Sequence, residues 1–481
     1  MRPLDRAHPI AASLVLATVL AVTNARYDYH RDELYFRMLE PAWGYADQPP
    51  LTPLLGRAAI ALLGDSVWAM RVPSILCMVG VLWIGALLVR ELGGGKAAQA
   101  LCVWGLAFAG VALAFGHLLS TATVDLVVWS AVLLFAVRAL MREPRWWLAA
   151  GAVTGIGLYN KHLIVLLLVS LAAALLAVGP RKALASKWLW AGLGIALVVG
   201  SPNLIYQAVN DWPQLRMAEA IADGDGAENR MILLPFQFVL LGTFLVPVWI
   251  AGIWALLRRP EWRAVRALAV AYPILLVVVF ATGGQMYYPI GLLIALYAAG
   301  CVPVAAWAKS KGRRAILVTA VVLNAAVSGV VALPLVPIAV VGETPVVVMN
   351  ESVPDQIGWE AYTYQVEIVV SEMPDSDEAV VITANYGEAG ALDRYGWGLP
   401  PIYSGHNELH EYGPPPQTAT AVVTVGLPLE RVSQYFETCT AEGVLDNEVG
   451  VDNEEQGRII GVCRGPVEPW DELWEEFQHF S

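Results

Sequence analysis

Tyr27-Asp28-Tyr29-His30-Arg31-Asp32-Glu33-Leu34-Tyr35-Phe36, continued by Trp43-Gly44-Tyr45-Ala46-Asp47-Gln48-Pro49-Pro50-Leu51, is the first long polar stretch of the chain and stands between two apolar runs. Those runs, residues 9–25 and 67–89, have the length a membrane crossing needs, roughly 17–25 residues for ~30 Å of hydrocarbon. A polar stretch held between two crossings is a loop at the membrane surface. Within it, Leu51, Leu54, Leu55, Ala58, Ala59 and Leu62 form one helical stripe, which suits an amphipathic helix on the outer leaflet. Asp32 and Glu33 open a second short apolar-aromatic segment of the same kind.

The pattern continues outward from this loop. Further apolar runs at 97–116, 119–140, 146–160, 162–178, 188–208, 231–257, 265–281, 286–307 and 315–341 bring the expected crossings to eleven. The first run follows Arg2 and Arg6 like a signal peptide but lacks a small-x-small cleavage pattern, so it reads as a retained helix. The fold class expected is an α-helical polytopic membrane protein with a small α/β domain after it. Of the 481 residues, 57% are hydrophobic and 15% charged, which excludes a wholly soluble enzyme.

Charge separates the two regions. The formal net charge is −12, yet residues 342–481 carry 26 acids and 4 bases, leaving 26 bases and 16 acids on residues 1–341. The basic surplus belongs to the apolar region and the polar region would repel phosphates, so nucleic acid is not an expected partner. Alternate loops hold 18 of those 26 bases, at Arg2 and Arg6, Arg90 and Lys96, Arg138–Arg145, Arg181–Lys187, Arg258–Arg266 and Lys309–Arg314. Such bases stay on the cytoplasmic side. The expected placement is a multi-pass plasma-membrane protein with a cytoplasmic N-terminus and an extracytoplasmic domain at 342–481, the transmembrane domain being 1–341.

In that outer domain, Val-rich runs and helix-like segments alternate at 345–349, 357–370, 379–383, 385–395, 419–425, 428–438 and 458–463, the order of a small α/β layer. Cys77, Cys102 and Cys301 fall in apolar runs as small buried hydrophobes. Cys439 and Cys463 lie in the outer domain, where an oxidising compartment allows the disulfide expected between them. The tail, with Trp470, Trp474 and Phe477 among four acids, reads as a short amphipathic helix packed back on the domain.

Ionisable groups also gather at the outer ends of the crossings. Asp125 lies a few residues into the fourth, Arg71 at the outer end of the second, and Lys161 and His162 between the fifth and sixth. Carboxylates this deep are costly and usually face an interior cavity. Each residue alone also has a structural reading: snorkelling or an ion pair for Arg71, Lys161 and Asp125, a helix N-terminal charge pair for Asp32 and Glu33. Together they suit transfer of a group from a membrane-held phosphate, with a carboxylate taking the acceptor's proton and cations neutralising the leaving phosphate. If the group is a sugar, attack by one activated acceptor inverts the anomeric carbon. There is no P-loop, no Gly-x-Gly-x-x-Gly and no paired-acid motif for a nucleotide sugar. Asp47 and His162 are metal-ligating types without metal-site spacing, so no cofactor is assigned and a divalent metal is left open.

Arg31-Asp32-Glu33-Leu34-Tyr35-Phe36, Asp47-Gln48-Pro49-Pro50-Leu51, Thr123-Val124-Asp125, Gly157-Leu158-Tyr159-Asn160-Lys161 and Gly284-Gln285-Met286-Tyr287-Tyr288-Pro289 occur in this order and fall on one side. In this the chain resembles the GT-C membrane glycosyltransferases, in particular the bacterial family-39-like group related to protein O-mannosyltransferases and to the aminoarabinose transferase of lipid A. The resemblance covers most of residues 20–300. It implies inverting transfer from a polyprenyl-phosphate-linked sugar to a lipid, glycan or protein acceptor, with Asp32 as base and Glu33 and Asp125 positioning base or acceptor. Gln48 and Gln285 stand where the group commonly has Lys, so the donor phosphate falls to Arg57, Arg71 and Lys161. Asp47, Gln48, His162, Gln285, Tyr287 and Tyr288 are expected to line the substrate cavity. Two other functions suit a polytopic protein, a lipid or solute transporter or flippase and a non-catalytic assembly or sensor protein. A transporter is favoured by an internal repeat with helices broken at matched positions, which is not found.

Overall fold

Long apolar stretches have to bond their own backbone in a bilayer, and the computed structural model, which describes residues 2–480, is accordingly mostly helical. Among the described residues, six helices are long and apolar enough to cross a membrane: Val67–Glu91, Thr121–Met141, Lys187–Val209, Pro260–Thr282, Ile290–Trp307 and Lys311–Ala332. Lys96–Ala107 and Gly110–His117 meet at a 51° bend and make a seventh if they act as one span. Ala7–Thr23, Leu51–Leu63, Ile164–Val178 and Thr243–Arg258 are shorter apolar helices. Each of the eleven apolar runs holds helix, and six of these helices, or seven counting the bent pair, are long and apolar enough to cross by length and composition.

The run at 231–257 is not one helix. It breaks between Gly226–Phe236 and Val246–Arg258, with Pro235 near the end of the first piece and Gly242 at φ +98° in the break. Asn324, buried on Lys311–Ala332, repairs two breaks together, its Nδ2 donating to Phe108 O at 3.0 Å and to Leu241 O at 3.0 Å. A freed carbonyl at such depth needs a partner of this kind.

Two helix pairs depend on glycine. A methyl group at Gly252 would strike the Leu296 carbonyl and one at Gly300 the Val248 carbonyl, so the backbones of Val246–Arg258 and Ile290–Trp307 touch there. Gly151 and Gly192 bring Trp146–Gly157 against Lys187–Val209 in the same way. Small residues permit this approach where no hydrophobic effect drives helices together.

By internal contacts the chain forms two units, one of residues up to Asn24, Gln48–Thr52 and Arg71–Leu333, the other of Ala25–Asp47, Pro53–Met70 and everything from Pro334 on. The second unit is built on a five-stranded sheet, β1 (Ala379–Thr383), β2 (Ile402–Ser404), β3 (Ala421–Val425), β4 (Phe436–Val444) and β5 (Ile459–Pro466), in the order β2-β1-β3-β5-β4. β2, β1 and β3 are parallel, while β5 runs antiparallel to both β3 and β4. Helix Trp359–Glu372 precedes β1, and helix Tyr386–Tyr395 connects β1 to β2. Val380, Ile382, Val422 and Cys463 share a core with Trp470, Leu473, Trp474 and Phe477 of the tail. A disulfide joins Cys439 on β4 to Cys463 on β5.

Two local expectations need correction. The Val-rich run at 345–349 forms the short helix Val346–Met349 rather than a strand. The helix expected at 428–438 stops at Val432 and 3-10 turn Ser433–Tyr435, where β4 begins. β2 went unread because only three residues pair.

Candidate active site

In the second unit, the first loop folds as helix Arg31–Met38, and its start is fixed by His30 and Glu33. The Asp32 N–H donates to His30 Nδ1 at 3.2 Å, and the His30 N–H donates to Glu33 Oε2 at 2.9 Å, a reciprocal cap. Glu33 is fully buried in this role, while the Asp32 side chain remains one-third exposed. The cap therefore presents Asp32 and conceals Glu33.

Asp32 Oδ1 accepts the hydroxyl of Tyr386 at 3.0 Å. Burial and the Asp32 carboxylate hold that phenol far above its ordinary pKa, so Tyr386 stays a donor. Its ring stacks on Tyr35 and on His406, both at 4.6 Å, and Arg31 lies 5.0 Å over it. His30 reaches Asp355 through Nε2 at 3.4 Å. Burial draws the His30 pKa down, but the Asp355 bond and the charges of Asp32, Asp355 and Glu33 outweigh it and hold the pKa above the usual value.

Asp47 accepts the Tyr35 hydroxyl at 2.7 Å, and that oxygen also takes the Glu408 N–H at 3.2 Å. Glu408 receives the Ala46 N–H at 2.7 Å. Its carboxyl is pushed up to about 7, first by burial and then by the charges of Asp47 and Glu411. Arg57 donates from Nη1 to Arg37 O at 3.2 Å and Leu39 O at 2.7 Å, closing the end of helix Arg31–Met38.

In the first unit, Asp125 and Lys161 line one small pocket, of about 20 Å³, with Trp129, Tyr287 and Tyr288. Lys161 Nζ stands 5.0 Å from the Tyr288 ring centre, a cation on an aromatic face. Asn160 Nδ2 donates to Asp125 Oδ1 at 2.7 Å and to Thr121 O at 2.8 Å, and Asn160 Oδ1 accepts the Thr52 hydroxyl at 2.6 Å. The Leu51 N–H donates to Tyr159 O at 2.8 Å. Two motifs over a hundred residues apart, around Pro50 and around Asn160, are thus stitched together beside the pocket. Asn160 was missed as a site residue because an amide adds no charge to a sequence pattern.

The other expected residues take separate places. Arg71 is fully buried, its Nη1 donating to Asn24 O at 2.5 Å and lying 3.4 Å from His117 Nε2. Gln48 is buried, His162 meets Asn203 Oδ1 at 3.0 Å, and Gln285 donates to Asp225 Oδ2 at 3.2 Å. Tyr287 packs edge-on to Phe115 and to Tyr288. Among the described residues, no group of three or more His, Cys, Asp or Glu side chains is placed to hold a metal ion.

Residues 47–206 match the family model described as dolichyl-phosphate-mannose-protein mannosyltransferase. The chain is similar in structure to ArnT from Cupriavidus metallidurans, crystallised bound to undecaprenyl phosphate, with a TM-score of 0.59 and 13% identity over 94% of this chain and 97% of that one. The apo form of that protein gives 0.58 and 12% over the same shares. Arabinofuranosyltransferase AftD from Mycobacteria gives 0.54 and 13%, over 96% of this chain and 40% of that one. No curated protein matches the chain. At 12–13% identity these likenesses show the fold, a set of apolar helices with a small α/β sheet domain.

Proposed function

We propose that the chain is an inverting glycosyltransferase that moves a sugar from a polyprenyl phosphate to a lipid, glycan or protein acceptor on the outer face of the plasma membrane. The observation that carries this reading is the fold likeness along 94% of the chain to a protein crystallised with undecaprenyl phosphate. The pocket holding Lys161, Asp125 and two tyrosines supports it, because a cation beside carboxylate and aromatic groups in an apolar site suits a lipid-borne phosphate. The loop bases support a cytoplasmic N-terminus, with residues 342–481 outside.

In this reading an acceptor hydroxyl or amine attacks the anomeric carbon from the face opposite the phosphate. The new bond to carbon forms as the bond from carbon to phosphate oxygen breaks, and polyprenyl phosphate leaves with the electron pair. Asp32 takes the acceptor's proton, while the His30–Glu33 cap and Tyr386 hold its carboxylate in place. Lys161 meets the charge growing on the phosphate. Arg57 and Arg71 are the further cations proposed for the donor phosphate. Asp125, held by Asn160, positions the base or the acceptor.

Asp32→Asn tests the base. Asn keeps an acceptor for the Tyr386 hydroxyl, and the site is one-third exposed, so stability should change by less than about 1 kcal/mol. Transfer should fall about 10²–10⁴-fold, the worth of a general base. Turnover retained in that variant removes the assignment.

A further inference from the structure

The second unit contains a polar cleft, of about 230 Å³, that the transfer chemistry above does not use. It lies at the carboxyl ends of the three parallel strands, lined by Ala384 and Asn385 just after β1, His406 just after β2, and Gly426 and Pro428 just after β3. With the order β2-β1-β3, the chain leaves β1 toward β2 on one side and returns to β3 on the other. In open sheets of this kind the crevice where the connections diverge is where ligands bind.

The side chains select the ligand class. Arg31, Glu388, His406, Glu454, Arg458 and His479 converge on the cleft. Two guanidinium groups and two carboxyl groups leave no strong preference for either charge, whereas planar polar groups bond well to adjacent hydroxyls. The rings of Tyr386, His406 and His479 stack in series at 4.6 Å each and form a flat wall. A phosphate ligand is disfavoured at the helix start, because the Asn385 and Glu388 N–H groups are already taken by each other's side chains, at 3.1 and 2.9 Å. Burial and the neighbouring charge of Glu455 push the Glu388 carboxyl upward, while its Oε2 accepts the Ala384 and Asn385 N–H groups. Gly426, at φ +73°, leaves room that any side chain would take from the Glu388 carboxyl.

We propose that this cleft binds a sugar residue of the acceptor, so that the acceptor is a glycan or glycolipid rather than a bare protein or lipid. The inference rests on the glycosyltransferase reading and deepens it. Arg31 lines the cleft one residue before Asp32, and Tyr386, which bonds Asp32, stacks on the cleft residue His406. A sugar held there would have its neighbouring hydroxyls beside the base.

The test uses the full chain in lipid nanodiscs and saturation-transfer NMR with methyl glycosides of common hexoses, pentoses and N-acetylhexosamines, each at ~10 mM, a concentration matched to weak binding. At least one glycoside should receive saturation. Arg458→Gln, at an exposed rim position, should cut the signal at least fivefold, Asp32→Asn should retain it, and inorganic phosphate should not displace it. No saturation from any glycoside, equal saturation in the rim variant, or displacement by phosphate overturns the proposal. If the wild type consumes a polyprenyl-phosphate sugar while no glycoside is saturated, the glycan site fails and the transferase reading stands. If glycosides bind while no donor is consumed, the reverse holds.

Discussion

Replacing Asn160 by Leu removes three hydrogen bonds from a fully buried amide, those to Asp125 Oδ1, Thr121 O and the Thr52 hydroxyl. Thr121 O begins a helix and keeps its intrahelical partner, so the cost falls on two groups, the Asp125 carboxylate and the Thr52 hydroxyl. Each buried group left without that partner costs about 1–3 kcal/mol in water-soluble proteins. In a membrane protein the single-bond average is nearer 0.6 kcal/mol, with a ceiling near 1.7, because the unfolded chain finds partners within the bilayer. The carboxylate raises the first contribution and the setting lowers the second, giving about 2–3 kcal/mol for Asn160→Leu. Thr52→Val alone should cost about 1 kcal/mol. In the double variant the Thr52 change should add almost nothing, so the coupling is about 1 kcal/mol. Reversible unfolding in mixed micelles reads all four corners of the cycle. A coupling within ~0.3 kcal/mol of zero, or an Asn160→Leu protein as stable as the wild type, refutes the claim that this amide joins the two motifs.

Glu408 gives a pH-dependent signature. Its folded pKa of about 7 lies above the ordinary glutamate value, so the stability it allows is fully present below about 4.5 and is lost as pH rises toward 7. Glu408→Gln keeps the oxygen that accepts the Ala46 N–H, and should match the wild type at pH 4 yet exceed it by about 1–2 kcal/mol at pH 8; an equal difference at both pH values counts against the burial argument. Gly252→Leu should destabilise by about 3 kcal/mol or more, because its side chain meets the Leu296 backbone, while Gly194→Leu, with nothing within 4 Å, should change stability by less than about 0.5 kcal/mol. Similar melting temperatures for the two would remove glycine contact as the reason Val246–Arg258 and Ile290–Trp307 lie so close.

The architecture was legible where a physical period or length forced it. Apolar runs revealed the helices, and the stripe from Leu51 to Leu62 revealed helix Leu51–Leu63. Hydropathy does not register a backbone break, so the run at 231–257 looked continuous although Pro235 and Gly242 interrupt it and Asn324 satisfies a carbonyl the break exposes. Charged groups at membrane depth were visible, and Asp125 and Lys161 do share a pocket. Asn160 was not chosen, because a neutral amide acquires importance only from the side chains it meets. Glu33 shows the complementary limit. Adjacent acids look equivalent in sequence, and only the helix start distinguishes the carboxylate that caps from the one that is presented.

The most direct test of the central claim is incubation of the purified chain, in nanodiscs, with a panel of polyprenyl-phosphate sugars and glycan acceptors, following both the lipid and the anomeric configuration of the product. The account predicts that one donor is consumed, polyprenyl phosphate is released, and the transferred sugar has the configuration opposite to the donor's. Retained configuration, or a sugar lipid that crosses the bilayer intact and is never cleaved, would contradict it.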